Sequence, residues 1–149
     1  MKVLVQRVIR GKVTIEGKIV GQIDKGYVLF FGAKEEDSEK EADVLAEKLV
    51  NLRIMSDETN KMNRSILDVN GEVLVVSQFT LYADTSGGRR PSFTHAAKAD
   101  LANSLYLYFI ERLKKLGIKN VQTGQFGAYM TVEIVNDGPV TIMLETEKL

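Results

Sequence analysis

The chain has 149 residues, 20 basic and 20 acidic side chains for a formal net charge of zero, one histidine and no cysteine. That length supports one domain, residues 1–149, burying roughly 70% of its unfolded surface. The composition excludes disulfides, thiolate metal sites and a multi-histidine metal site within one chain, and it confines any nucleic-acid contact to local basic features.

No apolar run approaches the ~20 residues of a membrane span. The N-terminus lacks a signal-peptide layout. The expectation is a soluble cytoplasmic protein without membrane contact. A carboxylate metal site stays open in principle, but no spacing supports one.

Lys2 to Ile9 alternates well enough for a strand. Arg7 falls among its apolar residues, so the guanidinium must reach a partner or snorkel to water. Lys12 to Glu16 and Lys18 to Ile23 are two short strands with Gly17 at the turn between them. After the turn Asp24-Lys25-Gly26, Tyr27 to Ala33 is apolar throughout and reads as a central strand.

Glu35 to Asn51 is predicted helical. Ser38 and Glu41 have capping-box spacing, and Glu35, Glu36 and Asp37 set negative charge at the positive end of the dipole as a solvated helix start. Leu52 to Met55 can form a short strand, and Ser56 to Arg64 reads as a polar loop. Ile66 to Val69 then leads into Asn70-Gly71, a type I′ hairpin signal.

The stretch Val73 to Tyr82 (VLVVSQFTLY) changes character halfway. Four apolar residues, Val73 to Val76, read as a strand buried on both faces. Ser77, Gln78 and Thr80 then place two hydroxyls and an amide beside Phe79 and Leu81. Ser77 can share a site with Gln78 and Thr80 only if the strand ends, bends or bulges near Gln78. A strand end leaves N–H groups free beside hydroxyls, which is what an oxyanion site needs. A half-buried edge strand with Ser77 and Thr80 facing water fits the same spacing.

The loop after Tyr82 contains Gly87-Gly88 and the local basic pair Arg89-Arg90. Pro91 and Ser92 are expected to start a long helix, Phe93 to Leu116, ended by Gly117. Leu101, Leu105, Tyr108, Phe109, Arg112 and Leu116 outline its buried side. Arg112, Lys114, Lys115 and Lys119 suit the negative end of the dipole, with phosphate contact as the alternative. His95, the sole histidine, is placed in the first turn of that helix without an acidic orienter, which argues against a catalytic base. The chain closes with Asn120 to Thr123, Tyr129 to Val135 and Val140 to Glu145 as strands. Asn136-Asp137-Gly138-Pro139 forms a turn between the last two.

Two stretches together carry a resemblance. Ser77-Gln78-Phe79-Thr80-Leu81 and Asn136-Asp137-Gly138-Pro139-Val140-Thr141 resemble the two signature motifs of the D-aminoacyl-tRNA deacylase (D-tyrosyl-tRNA deacylase) family. The opening KVLVQRV, the RRPSF segment and GQFGAYMTVEIVNDGPVT are similar as well, so the likeness runs over essentially the whole chain. One departure is Ser86-Gly87-Gly88, where the family often carries a basic residue.

The resemblance implies an α+β fold, with a β-barrel-like sheet of about eight strands and two long helices packed outside. It implies a homodimer with active sites at an isologous interface. Ser77, Gln78, Phe79 and Thr80 are then the catalytic stretch. Gly138 and Pro139, with a cis bond between them, enter the partner's site and bind substrate. Arg7 supports that turn from behind, and Met130 lines the pocket or simply packs in the core.

The implied reaction is hydrolysis of the ester of D-aminoacyl-tRNA, and of mischarged glycyl-tRNA, with L-amino acids excluded and without cofactor, metal or DNA. Thr80 can attack as a nucleophile, or position substrate while the RNA 2′-hydroxyl assists water. The lack of a nearby base favours positioning. A module that binds the tRNA end without chemistry is the alternative function.

Overall fold

The computed structural model describes all 149 residues. In chain order the elements are β1 (Lys2–Ile15), β2 (Lys18–Ile23), β3 (Gly26–Gly32), α1 (Glu39–Asn51), β4 (Met55–Ser56), β5 (Met62–Arg64), β6 (Glu72–Ser77), a 3₁₀ turn (Phe79–Tyr82), α2 (Ala99–Lys115), β7 (Val121–Thr123), β8 (Thr131–Glu145) and a terminal 3₁₀ turn (Thr146–Lys148). The class is α+β, a barrel-like mixed sheet with two helices outside. β2, β1, β3, β6 and β7 follow one another in the sheet, and β8 pairs with the other edge of β1. β4 and β5 form a separate small hairpin.

The sheet curls because β1 is long and serves three partners. Its first half pairs with β3, its second half with β2, and nearly its whole length with β8. The ladder to β8 shifts register near Val8, and a bulge there lets a strand bend. Val3 and Val5 accordingly belong to the core under the helices, whereas Val8 and Val13 belong to the core inside the curl. The curl nearly closes where β2 meets β7. A Cβ at Gly21 would lie 2.5 Å from the Thr123 carbonyl oxygen, so only glycine fits there.

β3 and β6 divide their side chains by parity. Tyr27, Leu29, Phe31, Val73 and Val75 face α1 and α2, while Val28, Leu74 and Val76 face the interior of the curl. Both faces are therefore buried, as the unbroken apolar run Val73 to Val76 requires. α1 lays Ala42, Leu45, Ala46, Leu49 and Val50 on the core. Across the helix pair, Arg112 binds Asp43 at 2.9 Å and Glu47 at 2.8 Å.

Several expected boundaries move. Lys2 to Ile9 and Lys12 to Glu16 are one strand, and so are Tyr129 to Val135 and Val140 to Glu145. The capping box at Ser38 and Glu41 is present, but α1 starts there and not at Glu35. Asp37 is buried and not a solvated helix start: its carboxylate accepts from the Met1 ammonium and from the Lys34 N–H, both at 2.8 Å.

α2 starts at Ala99 instead of Phe93, because the preceding backbone bonds across to β3's extension. Lys34 bridges Ala96, and Ala97 N–H donates to the Ala33 carbonyl at 2.9 Å. The buried side of α2 is Ala102, Leu105, Tyr106, Phe109, Ile110 and Leu113. Leu101, Tyr108, Arg112 and Leu116 sit at its margin, half-exposed.

Asn70-Gly71 makes no hairpin. Only Asn70 has positive φ, 50°, and Gly71 N–H donates back to the Ile66 carbonyl at 2.9 Å. β6 emerges parallel to both β3 and β7. The Ser56 to Arg64 loop contains the β4–β5 turn, organised by the Asp57 carboxylate, which accepts from Thr59 and Lys61 N–H and from the Asn63 amide.

Candidate active site

β6 ends at Ser77, and the chain bends at once. Gln78 N–H still donates to the Phe31 carbonyl at 2.7 Å, and then Phe79 to Tyr82 coil into a single 3₁₀ turn. The first N–H groups of such a turn have no acceptor behind them. Leu81 N–H reaches the Gln78 carbonyl at 3.2 Å and Ala83 N–H reaches the Thr80 carbonyl at 3.0 Å, whereas the Phe79 and Thr80 N–H groups have no backbone acceptor. Thr80 Oγ1 accepts from the Gln78 amide. Phe79 and Thr80 are exposed, while Ser77 and Gln78 are half-buried. Phe79 is held edge-on against Phe93, with ring centroids 4.9 Å apart.

Beside this turn opens a cleft of about 480 Å³. Ser77, Gln78 and Phe79 form one wall, Phe31 and Val76 the floor, and the segment Phe126 to Met130 the far wall. Met130 therefore lines the cleft while its sulfur accepts from Gln125 N–H at 3.4 Å. Tyr129 at the rim is 97% exposed. Beneath Phe126, the Tyr106 hydroxyl donates to the Val75 carbonyl at 2.9 Å, and burial pushes its pKa up to about 12. The cleft is mostly apolar with a few polar groups on one wall, which is the usual composition of a small-ligand site.

The second motif lies elsewhere in the chain. In the β1–β8 ladder Val8 pairs with Asn136 and Gln6 with Thr141, so Arg7 alone stands opposite Asp137, Gly138, Pro139 and Val140. These four residues form an excursion from the strand, with Gly138 and Pro139 exposed and the bond between them cis. The Asn136 amide closes its base, donating to the Val140 carbonyl at 3.3 Å and accepting from Val140 N–H at 3.2 Å. Gly138 has φ of 151°, and a Cβ there would lie 2.5 Å from Val140 N, so a side chain is not accommodated.

Arg7 braces the excursion from behind. It is 7% exposed. Nε donates to the Asp137 carbonyl at 2.9 Å and lies 3.3 Å from the Asp137 carboxylate, and Nη1 donates to the Ile54 carbonyl at 2.7 Å. It is a buried clamp between β8 and the β4 segment, not a snorkelling surface arginine. Its cross-strand neighbour Tyr27 is fully buried, with a hydroxyl that has no hydrogen-bond partner. Burial raises the Tyr27 pKa well above the usual phenol value, and Arg7 pulls it partly back.

Within one chain the two motifs do not meet. Arg7 pairs with Tyr27 and Tyr27 with Val73, so Ser77 lies four residues further along β6. With three strand spacings from β8 to β6, the separation is roughly 20 Å. Each motif is thus displayed separately on the surface.

His95 is outside the cleft. It lies in the loop before α2 and lines a second, charged recess with Lys2, Lys34, Tyr82, Asp84 and Glu147. Half of the basic group at the end of α2 is neutralised: Arg112 binds Asp43 and Glu47, and Lys114 binds Glu111 at 2.7 Å. Lys119 donates to the Asn70 side-chain carbonyl at 2.9 Å, and Lys115 is exposed without an ion pair. Asn136 carried no signal beyond ordinary turn chemistry, yet its amide closes the excursion. Arg7's acceptors on Ile54 and Asp137 are backbone carbonyls and have no sequence signature.

Ser77, Gln78 and Phe79 line the cleft, whereas Thr80 lies just outside its lining, joined to it through the Gln78 amide. A hydroxyl-and-amide wall on an apolar cleft, followed by a turn whose Phe79 and Thr80 N–H groups lack a backbone acceptor, suits an acyl hydrolase that works by positioning and oxyanion binding. The family model described as D-Tyr-tRNA(Tyr) deacylase matches residues 4–145. A protein of Symbiobacterium thermophilum named D-aminoacyl-tRNA deacylase is 53% identical, over 99% of this chain and 97% of its own. One of the same name from Heliobacterium modesticaldum is 57% identical, over 97% and 96%.

Among solved structures, the c-Myc DNA Unwinding Element Binding Protein is 41% identical with a TM-score of 0.92, covering 97% of this chain and 98% of that one. A probable eukaryotic D-amino acid tRNA deacylase shares the fold, with a TM-score of 0.85 at 16% identity over 96% and 97%. The chain belongs to the D-Tyr-tRNA(Tyr) deacylase family, whose members are hydrolases of a carboxylic ester. No helix is long and apolar enough to cross a membrane.

Proposed function

We propose that the chain hydrolyses the ester linking a D-amino acid to the terminal ribose of tRNA, acting in the cytoplasm as a homodimer with two active sites at the interface. Water attacks the ester carbonyl carbon. The tetrahedral oxyanion is met by the Phe79 and Thr80 N–H groups, and collapse breaks the bond to the ribose oxygen, which takes up a proton. The products are free D-amino acid and tRNA. The observation that carries this reading is the pair of N–H groups, on Phe79 and Thr80, that lack a backbone acceptor in the turn directly after the cleft-lining Ser77 and Gln78, in a chain of this family.

Ser77, Gln78, Phe79 and Thr80 hold the ribose and the reacting ester, and Met130 shapes the pocket. Gly138 and Pro139 come from the partner and offer their carbonyls to the substrate α-ammonium, leaving no room for an L side chain. Glycine has no side chain to exclude, so glycyl-tRNA is cleaved too. The roughly 20 Å between the motifs in one chain supports completion of the site by a second copy. Arg7 holds the excursion in place for that purpose. Thr80 positions the substrate, since Gln78 engages its hydroxyl and no base adjoins it.

Single-turnover assays with D- and L-tyrosyl-tRNA test the proposal. Rapid release of D-tyrosine with the L-ester spared is expected. An intact D-ester after many half-lives of spontaneous hydrolysis would refute it, and RNA protection without cleavage would favour the tRNA-end-binding module.

A further inference from the structure

Arg89 and Arg90 are the only adjacent basic residues in the chain of which neither is held by a carboxylate; in the other pair, Lys114-Lys115, Lys114 binds Glu111. They are exposed near the tip of the loop between the 3₁₀ turn and α2. The loop is closed at its base by paired Asp84 and Ser92 backbone bonds, each 2.8 Å. Its one acid, Asp84, accepts from Ser86 N–H at 2.9 Å and makes no ion pair with either arginine.

The loop is also fastened to the candidate site. Phe93, three residues after Arg90, packs edge-on against Phe79 of the catalytic stretch. Three or four residues of extended chain reach about 10–14 Å, so the guanidinium groups are carried within a nucleotide or two of the cleft mouth. Other cations near the cleft are already neutralised. Lys98 faces Glu35 at 3.9 Å, Lys34 binds Glu147, and Lys2 faces Glu145 at 3.6 Å. With zero net charge the chain has no global attraction for RNA, so attraction must come from a local source.

We infer that Arg89 and Arg90 form a phosphate-binding site for the single-stranded 3′ end of the tRNA, gripping the phosphodiesters just before the esterified nucleotide. This rests on the deacylase reading above. Arginine suits the role because its planar fork meets phosphate oxygens in pairs and is only weakly hydrated.

The test compares two substrates, D-tyrosyl-tRNA and the phosphate-free ester D-tyrosyl-adenosine, between 50 and 200 mM salt. The R89A/R90A variant is expected to lower the ratio of kcat/KM on tRNA to that on the ester by about fivefold to tenfold at low salt. The loss should fall in KM, with kcat on saturating tRNA retained. Two single-strand phosphate contacts contribute a slope near 1.4 in log–log salt dependence, so the deficit should shrink by about sevenfold across that range. R89K/R90K, which keeps the charge, should retain most of the salt slope.

An unchanged ratio, or a wild-type salt slope in R89A/R90A, would overturn the assignment. If the wild-type chain cleaves both substrates and the variant's slope is unaltered, only the arginine site falls. If the wild type cleaves neither, the deacylase reading falls with it.

Discussion

Replacing Arg7 by alanine tests the link between the buried core and the exposed Gly138-Pro139 excursion. The substitution removes three charged hydrogen bonds, to Asp137 O at 2.9 Å, Ile54 O at 2.7 Å and, at a weaker 3.3 Å, Ser56 Oγ, and an ion pair with Asp137 at 3.3 Å. Charged bonds are worth about 1.5–3 kcal/mol each. Asp137 is half-exposed and its orphaned groups can turn to water, which cuts the sum to about 3 kcal/mol. In a chain of this size that lowers Tm by about 6–12 °C, short of unfolding at 25 °C.

The functional loss should exceed the structural one. A shift of about 1 Å in the carbonyls of the excursion costs on the order of a hundredfold in rate. The assay is thermal unfolding and sedimentation alongside kcat/KM for D-tyrosyl-tRNA. An intact dimer with a lowered Tm and a large fall in kcat/KM is expected, and Arg7→Lys should not restore activity because one ammonium cannot span both carbonyls. A destabilised but fully active R7A would show that Arg7 is structural only. An unchanged Tm would refute the bond energies themselves.

Further outcomes follow from the same geometry. His95→Ala should leave single-turnover deacylation within about threefold of wild type; a hundredfold loss, the scale of a general base, would place the catalyst at His95. Thr80→Ala should keep a measurable rate, while a substrate lacking the terminal 2′-hydroxyl is cleaved poorly; an aminoacyl ester trapped on Thr80 would contradict this. Tyr27→Phe removes a buried hydroxyl without a partner and should stabilise by about 1 kcal/mol in denaturant unfolding; a clear loss would reveal a bond to the Arg7 region. The Asp57 carboxyl has a folded pKa depressed below the unfolded value, first by the Asn63 amide and then by Lys61 and Thr59. Its contribution is therefore complete above the unfolded value and fades as pH falls through the folded one. NMR titration should show the β4–β5 turn keeping its native shifts below pH 3.5, and loss of those shifts above pH 4 would reverse that sign.

The buried strand before Ser77 is legible in the residues because its signal is local, whereas the α+β barrel is legible only through the resemblance carried by the two motifs. Val73 to Val76 read as a strand buried on both faces, while the hydroxyls and amide after it fit either a strand end or an exposed edge strand, and the structure shows the end. Boundaries failed where tertiary bonds overrode local preference. Phe93 to Lys98 has a helix-like start, yet its backbone is taken by Ala33 and Lys34. Asn70-Gly71 has hairpin chemistry, yet β6 is needed between two parallel partners. Asp37 reads as part of a solvated acidic run because nothing local foretells that the Met1 ammonium arrives beside it. Arg7 is ambiguous in the sequence for the same reason: its partners, two carbonyls, the Ser56 hydroxyl and the Asp137 carboxylate, come from distant segments.

The excursion in β8 also bears on how this motif can be gained or lost. Between the regular pairings Arg10 to Val135 and Gln6 to Thr141, β8 advances six residues while β1 advances four. The surplus is two, an even number, so the parity match between β8 and β1 is the same on either side of the excursion. Val132 and Ile134 lie in the curl core, where Val132 pairs with Val13, and Leu144 lies in the helix-side core, where it pairs with Val3, so β8 passes from one core to the other together with β1. A chain lacking Gly138 and Pro139 could therefore zip β8 onto β1 without turning the core inside out. The barrel and the turn are structurally separable: the turn can be shortened by two residues, or lengthened by two, while the scaffold beneath it stays in register.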